Sequence, residues 1–200
     1  MSYFYKPKTD AEIEQIAATI LTRFAKRRLG LAIDIEAILE DLGLELLPRQ
    51  GFRKYAEGYL ASDPRYIVVD ESILSYMPRA RFTIAEEVCH LILEYRLWQG
   101  SHIPKGARGH ELDGKQHLFV EKDAGSLASA LLMPVATFTE VFHTKRRDLE
   151  ATGAPALNVI RETLKQVADV FQVSPRAATR RTRKLRLISL DELKRLLPDC

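Results

Sequence analysis

Apolar residues recur at helical spacing between Thr9 and Leu29, where Ile13, Ile16, Ala17, Ile20, Leu21 and Phe24 share one face. Thr9 or Asp10 stands where an N-cap belongs and Gly30 lies just past the end, so the stretch predicts an amphipathic helix. A shorter helix is predicted from Ile35 to Leu42, capped by Asp34 and closed by Gly43, which suits the left-handed backbone of a helix end. The period then changes. Leu44 to Leu47, Glu57 to Ala61 and Tyr66 to Val69 are short, rich in branched and aromatic residues, and separated by turn formers such as Asp63-Pro64. They predict a small antiparallel sheet.

Arg79 to Trp98 is apolar on nearly every side and predicts a helix buried in the middle of the domain. Gly100 to Lys115, rich in Gly, His and Lys, reads as an exposed loop. Helices are predicted again over Val120 to Leu132, stopped by Met133-Pro134, and over Ala136 to Arg147, with Leu131, Leu132 and Met133 read as core. Ala151 to Pro155 reads as a linker that divides the chain into residues 1–150 and 156–200. Beyond it, Leu164 to Leu187 has the form of a helix-turn-helix. Gln172-Val173-Ser174 would be the turn, Ser174 the N-cap and Pro175 the first helical residue, with Ala168, Phe171, Val173, Ala177 and Leu185 as its small core.

The 200 residues, 46% hydrophobic and 28% charged, are ordinary for a globular chain and argue against disorder. No apolar run approaches the roughly 20 residues of a membrane span, and MSYFYKPKTD lacks the apolar core of a signal peptide. A cytoplasmic protein without a membrane role is expected. Cys89 and Cys200 give no disulfide framework, which fits a reducing compartment. The net charge of +3 hides an uneven distribution: Pro175 to Leu187 holds Arg176, Arg180, Arg181, Arg183, Lys184 and Arg186 with no acid, leaving a net negative remainder. In a DNA-binding unit this helix enters the major groove, so Arg176, Arg180, Arg181, Arg183 and Lys184 are candidate nucleic-acid contacts, and DNA a candidate partner. The same charges fit a solvated basic helix that caps the domain or grips an acidic partner.

Within the buried helix, RFTIAEEVCHLILEY carries Glu86, Glu87 and His90, one residue type from the H-E-x-x-H signature of zinc peptidases. In that signature two His at i and i+4 share a helix face and hold the metal, while the intervening Glu is general base. Together with YIVVDES before it, and EKDAGSLASALLMP and VADVFQVSPRAATRRTRKLRLI after it, this helix resembles the ImmA/IrrE family of zinc-dependent endopeptidases. That family typically shows RFTxAHExGHxxxH and a later E-x-x-A-N-x-F-A-x-x-L-L-M-P, and the resemblance runs from about Ile13 to Ile188.

The resemblance implies an α+β, zincin-like metallopeptidase domain with a helix-turn-helix-like C-terminal segment. It implies Zn²⁺ held by Glu86, His90 and Glu121, with Asp123 the nearest alternative to Glu121, and Glu87 as general base. The metal would polarise the scissile carbonyl and Glu87 activate water, while an edge strand, Tyr66 to Val69, pairs with an extended substrate. The implied substrate is an XRE-type helix-turn-helix repressor, cleaved in a stress- or phage-related response. The departures are Glu86 for the first His, Cys89 for Gly, Glu94 for a further His, Gly125 for Asn and Leu127 for Phe.

A glutamate reaches about as far as an imidazole, and zinc accepts oxygen at roughly 2.0–2.2 Å. Two carboxylates and one His, however, offset the full charge of a divalent ion, so bound water is less acidified and hydrolysis at neutral pH slower. Oxygen ligands also favour harder ions such as Mn²⁺. The alternative is an inactive pseudopeptidase that regulates by binding protein or DNA. Carboxylates converging without a cation would raise at least one pKa, or draw in a Lys or Arg. His102, His110, His117 and His143 are replacement ligands in principle, though histidines in such places are more often exposed. Cys89 points off the i, i+4 face and reads as packing.

Overall fold

The computed structural model describes residues 5–24, 28–29, 31–99, 114–189, 191–192 and 194. Helix α1 (Asp10–Phe24) opens with a reciprocal capping box. The Thr9 N–H and hydroxyl donate to Glu12 Oε2 at 2.7 and 2.8 Å, and the Glu12 N–H donates back to Thr9 Oγ1 at 3.2 Å. The helix stops short of the expected Leu29, because Arg28–Leu29 (β1) pairs antiparallel with Ala32–Ile33 (β2). Next comes α2 (Ile35–Leu42), where Asp34 Oδ1 accepts the Ala37 N–H at 3.0 Å and Gly43 closes the end at φ +67°.

The three expected strands form as β3 (Glu45–Arg49), β4 (Gly58–Leu60) and β5 (Tyr66–Asp70), in the spatial order β3-β5-β4. The sheet is mixed rather than antiparallel: β4 runs against β5, but β3 runs parallel to it. Asp63-Pro64 closes β4 and β5 into a hairpin, β3 takes the other side of β5, and the crossover from β3 to β4 makes that pairing parallel. Buried Asp70 holds the crossover by accepting the N–H groups of Phe52 and Arg53 at 3.1 and 2.9 Å. Tyr66–Val69, expected at an edge, is thus the middle strand, with Ile67, Val68 and Val69 buried.

Helix α3 (Met77–Tyr95) starts before the expected Arg79, with Pro78 in its first turn, and ends at Arg96 in the left-handed region at φ +50°. Its apolar flanks, among them Ile84, Ala85, Val88, Cys89, Ile92 and Leu93, are buried. Arg81, also buried, donates to the Ile33 carbonyl at 2.6 Å and so ties α3 to β2. Of the loop expected over Gly100 to Lys115, residues 100–113 lie outside the described residues and 114–115 instead open the next helix, which also starts before the expected Val120. Helix α4 (Gly114–Leu132) packs along both α3 and α1.

Helices α5 (Val135–Glu150), α6 (Ala156–Phe171) and α7 (Pro175–Lys184) complete the chain, and one apolar core runs from Ile13 of α1 to Ile188 beyond α7. The α6–α7 turn forms where expected: Gln172 adopts φ +52°, and Ser174 Oγ accepts the Ala177 N–H at 3.1 Å. No single helix among the described residues is long and apolar enough to cross a membrane.

Arg181, expected on a nucleic-acid face, is instead 0% exposed. Its guanidinium forks onto Glu14 Oε1 and Oε2 of α1 at 2.5 and 2.9 Å, and its Nε donates to the Met133 carbonyl at 3.0 Å. The bidentate pair uses the planar geometry of Arg and removes this side chain from any external contact. Arg181→Met would leave the Glu14 carboxylate and the Met133 carbonyl without their donor, and should lower stability by about 3 kcal/mol. Urea unfolding checks this: the midpoint should fall with an unchanged slope, and a loss under about 1 kcal/mol would show the pair to be dispensable.

Candidate active-site cleft

The i, i+4 spacing of a helix sets Glu86 and His90 one turn apart on α3, with Glu87 beside them, and α4 brings Glu121 and, one turn earlier, His117 to the same place. All five line a cavity of about 610 Å³ bounded by Tyr55, β4 and Glu94. β4 lies close on α3 because residue 58 has no side chain. A Cβ there would stand 2.8 Å from Thr83 Cγ2 and 3.4 Å from Glu87 Cγ. A glycine within a strand signals such close backbone approach, and Gly58 is the site residue that sequence reading passed over.

Nε2 of His90 lies 3.6 Å from Glu121 Oε1, and Nε2 of His117 lies 3.6 Å from the same oxygen. These are ion contacts rather than hydrogen bonds. Although His117 is 62% exposed, it reaches the site instead of pointing away from it.

Burial dominates the titration of the cleft. It pushes the Glu87 carboxyl up to about 7, with the charges of Glu86 and Glu121 adding to the effect and His90 opposing it. Burial also raises Glu86, against the attraction of His90 and, more weakly, of Arg180. For His90, burial disfavours the charged form, but contact with Glu121 and the charges of Glu87 and Glu86 outweigh it, so its pKa rises. Glu121 is lowered by its contact with His90.

Glu86 is the group that decides what this donor set can hold. A Cβ added at Gly125 would lie 2.9 Å from Glu86 Oε1, so the carboxylate leans into the space left open at Gly125, one turn beyond Glu121. Ligands on one zinc ion stand about 3.4 Å apart, which the His90–Glu121 and His117–Glu121 pairs approach. Among the described residues, however, no three His, Cys, Asp or Glu side chains gather as a group able to hold a metal ion. The expected set of Glu86, His90 and Glu121 lines one cavity but, as these side chains stand, does not fit a three-ligand zinc site. Asp123, the alternative to Glu121, is turned away: it is buried and accepts from the Tyr5 hydroxyl at 2.9 Å and the Lys8 N–H at 2.7 Å. Cys89 is fully buried in the core, where burial pushes its thiol up. His143, on α5, does not line the cavity, and His102 and His110 lie outside the described residues.

Of the cations expected on a nucleic-acid face, Arg176, Arg180 and Lys184 line a second groove beside the cleft, Arg183 is exposed outside it and Arg181 is buried.

A buried helix with carboxylates and a histidine, packed against a second helix that adds a further carboxylate beneath an edge strand, defines a zincin-like α+β peptidase domain. The family model for the IrrE N-terminal-like domain, peptidase M78, matches residues 32–183, and the chain belongs to that family. Its members are in general zinc-dependent metallopeptidases. The fold is similar to a solved structure described as a Mycobacterium tuberculosis transcriptional regulator, with a TM-score of 0.57 and 16% identity, covering 86% of this chain. The match takes in 46% of that chain, so this one spans about half its length, and at that identity the likeness is one of fold. No curated protein matches the chain.

A carboxyl whose pKa rises on folding binds its proton more tightly in the folded chain, so stability falls as pH climbs between the two values and levels off above them. For Glu87 in chelator-treated protein that window runs from 4.5 to about 7. Glu87→Gln should flatten the fall and stabilise the chain above the window by up to about 3 kcal/mol, read from urea midpoints across the pH range. His90, whose raised pKa makes its contribution disappear as pH rises through it, adds a further loss beginning near pH 6.5 that the variant should retain. A fall of unchanged size in the variant would show that Glu87 ionises normally.

Proposed function

We propose that the chain is an IrrE-type regulator of transcription that captures an extended segment of an XRE-type helix-turn-helix repressor in the α3–α4 cleft. The observation that carries this reading is the outer edge of β4 beside the cavity, which no strand among the described residues pairs with. The Asp70 N–H bonds to the Glu57 carbonyl and the Ala61 N–H to the Tyr66 carbonyl, so Glu57, Tyr59 and Ala61 face β5. Gly58 and Leu60 alternate with them and direct their N–H and C=O groups to the unpaired side, where a partner strand adds by main-chain hydrogen bonds. Exposed Tyr55 and Tyr59 flank this edge and offer apolar area to partner side chains.

Capture without cleavage agrees best with Glu86 leaning on Gly125. The second reading is hydrolysis, and Glu87 favours it: a buried carboxyl with a pKa of about 7 in a cleft is what a general base needs near neutral pH. In that reading Glu86, His90 and Glu121 would hold Zn²⁺ or Mn²⁺, which requires Glu86 to leave Gly125.

Mixing the purified chain with an XRE-type repressor tests both. A complex with intact repressor is expected, with or without added Zn²⁺ or Mn²⁺. Leu60→Pro, which deletes an outward N–H from the edge strand, should weaken binding about tenfold; Leu60 also packs against the core, so the thermal midpoint should fall as well and binding is compared well below it. Repressor fragments that appear with metal and vanish in Glu87→Gln would establish the hydrolytic reading instead, and full binding by Leu60→Pro would remove strand addition.

A further inference from the structure

The cleft does not end at Glu86. Glu57, Thr83, Glu86 and Glu121 also line a second groove of about 620 Å³, which continues between the start of α3, α4 and α7. Its far wall is cationic: α7 presents Arg176, Arg180 and Lys184 at i, i+4 and i+8, and α4 adds Lys122. The Ser126 and Ser129 residues of α4 line the floor between them. Lys184 is committed to Asp10 at 2.9 Å and Arg79, at the rim, to Glu57. Among the described residues, Arg176, Arg180 and Lys122 have no ion-pair partner. The groove is therefore polar along its length, positive where α7 forms the wall and negative where it opens into the carboxylates of the cleft.

We infer that this groove docks an acidic stretch of the partner's chain, adjoining the neutral stretch that the cleft receives. The inference rests on the capture reading above and supplies its specificity: acidic residues of the partner lie along α7, and uncharged residues lie over Glu86 and Glu87. Arginines with free forks pair bidentately with carboxylates, while the acidic end repels a partner held in the reverse direction.

The same geometry disfavours a nucleic acid. A duplex presents phosphate along its whole length, and here the cations line a concave wall that leads directly to Glu57, Glu86 and Glu121. A peptide can change charge along the groove, whereas a uniformly charged polymer cannot. The Arg181 guanidinium, in the middle of α7, is withdrawn into the core and is closed to any phosphate or base contact.

The test uses the whole chain and fluorescent peptides with a run of Glu at one end and neutral residues at the other, their Gln counterparts, and a DNA duplex. The Glu peptide should bind at least about tenfold tighter than the Gln peptide, and added salt should erode the difference. The double substitution Arg176→Glu and Arg180→Glu, both at exposed positions, should abolish the preference while leaving Gln-peptide binding unchanged; the loss of the Arg180 attraction for Glu86 should lower the thermal midpoint, so binding is compared well below it. Equal binding of the two peptides to the unaltered chain, or a preference that survives charge reversal, overturns the inference. So does duplex DNA that displaces the Glu peptide and itself depends on Arg176 and Arg180. N-methylation of alternate residues in the neutral end separates the two claims. If methylation abolishes binding and charge reversal does nothing, the cleft reading stands and the groove falls; if charge reversal abolishes binding and methylation does nothing, the groove stands and the cleft reading falls.

Discussion

Desolvation of α3 is the constraint to which the other parts of this structure answer. The helix is apolar around most of its circumference and is enclosed by α4, α2, β4 and β5. The strip that remains carries Glu86, Glu87 and His90, ionisable groups that burial makes costly to charge. Each neighbour relieves part of that cost. Glu121 shares a charge contact with His90, the open space at Gly125 admits the Glu86 carboxylate, and Glu87 keeps its proton to near neutral pH. The cleft is polar and reactive for the same reason that the helix is stable: apolar packing on three sides leaves the charges one place to converge.

Two departures from the family pattern then become one feature. Glutamate at position 86 and glycine at position 125 stand where the family commonly has His and Asn, and in space they touch. A side chain at 125 would meet Glu86 Oε1 at 2.9 Å, so the longer acid at 86 needs the smaller residue opposite it. The pair sets a carboxylate at Gly125, where Glu86 lines both the cleft and the groove that α7 borders. From there Glu86 also feels a weak attraction from Arg180 of α7.

That link gives the helix-turn-helix-like segment a different meaning from the one its charges suggest. Helices α6 and α7 share a core with α5 and α1, with Phe138 and Phe171 ring centroids 5.3 Å apart and Arg181 clamped to Glu14. α7 is thus a wall of the peptidase domain. Of its cations, Arg176, Arg180 and Lys184 line the groove beside the cleft, Arg183 is exposed outside it, and Arg181 is taken into the core.

By itself the sequence determined most of the secondary structure, because caps and periodicity act over a few residues: Asp34 with Gly43, and Ser174 with Pro175, each mark a boundary found in the structure, and of the two caps open for the first helix the structure uses Thr9. It also determined the family, through the order and spacing of the Glu86–His90 and Glu121–Pro134 segments. Local patterns carry no information about which edge of a strand is taken, so the parallel β3–β5 pairing and the edge position of β4 were decided only by the crossover that Asp70 holds. Nor does a string of cations say which of them points inward. Arg181 was assigned by Glu14, a residue distant in sequence, and Glu86 by the space at Gly125, since burial and charge contacts are properties of the packed chain rather than of any stretch within it.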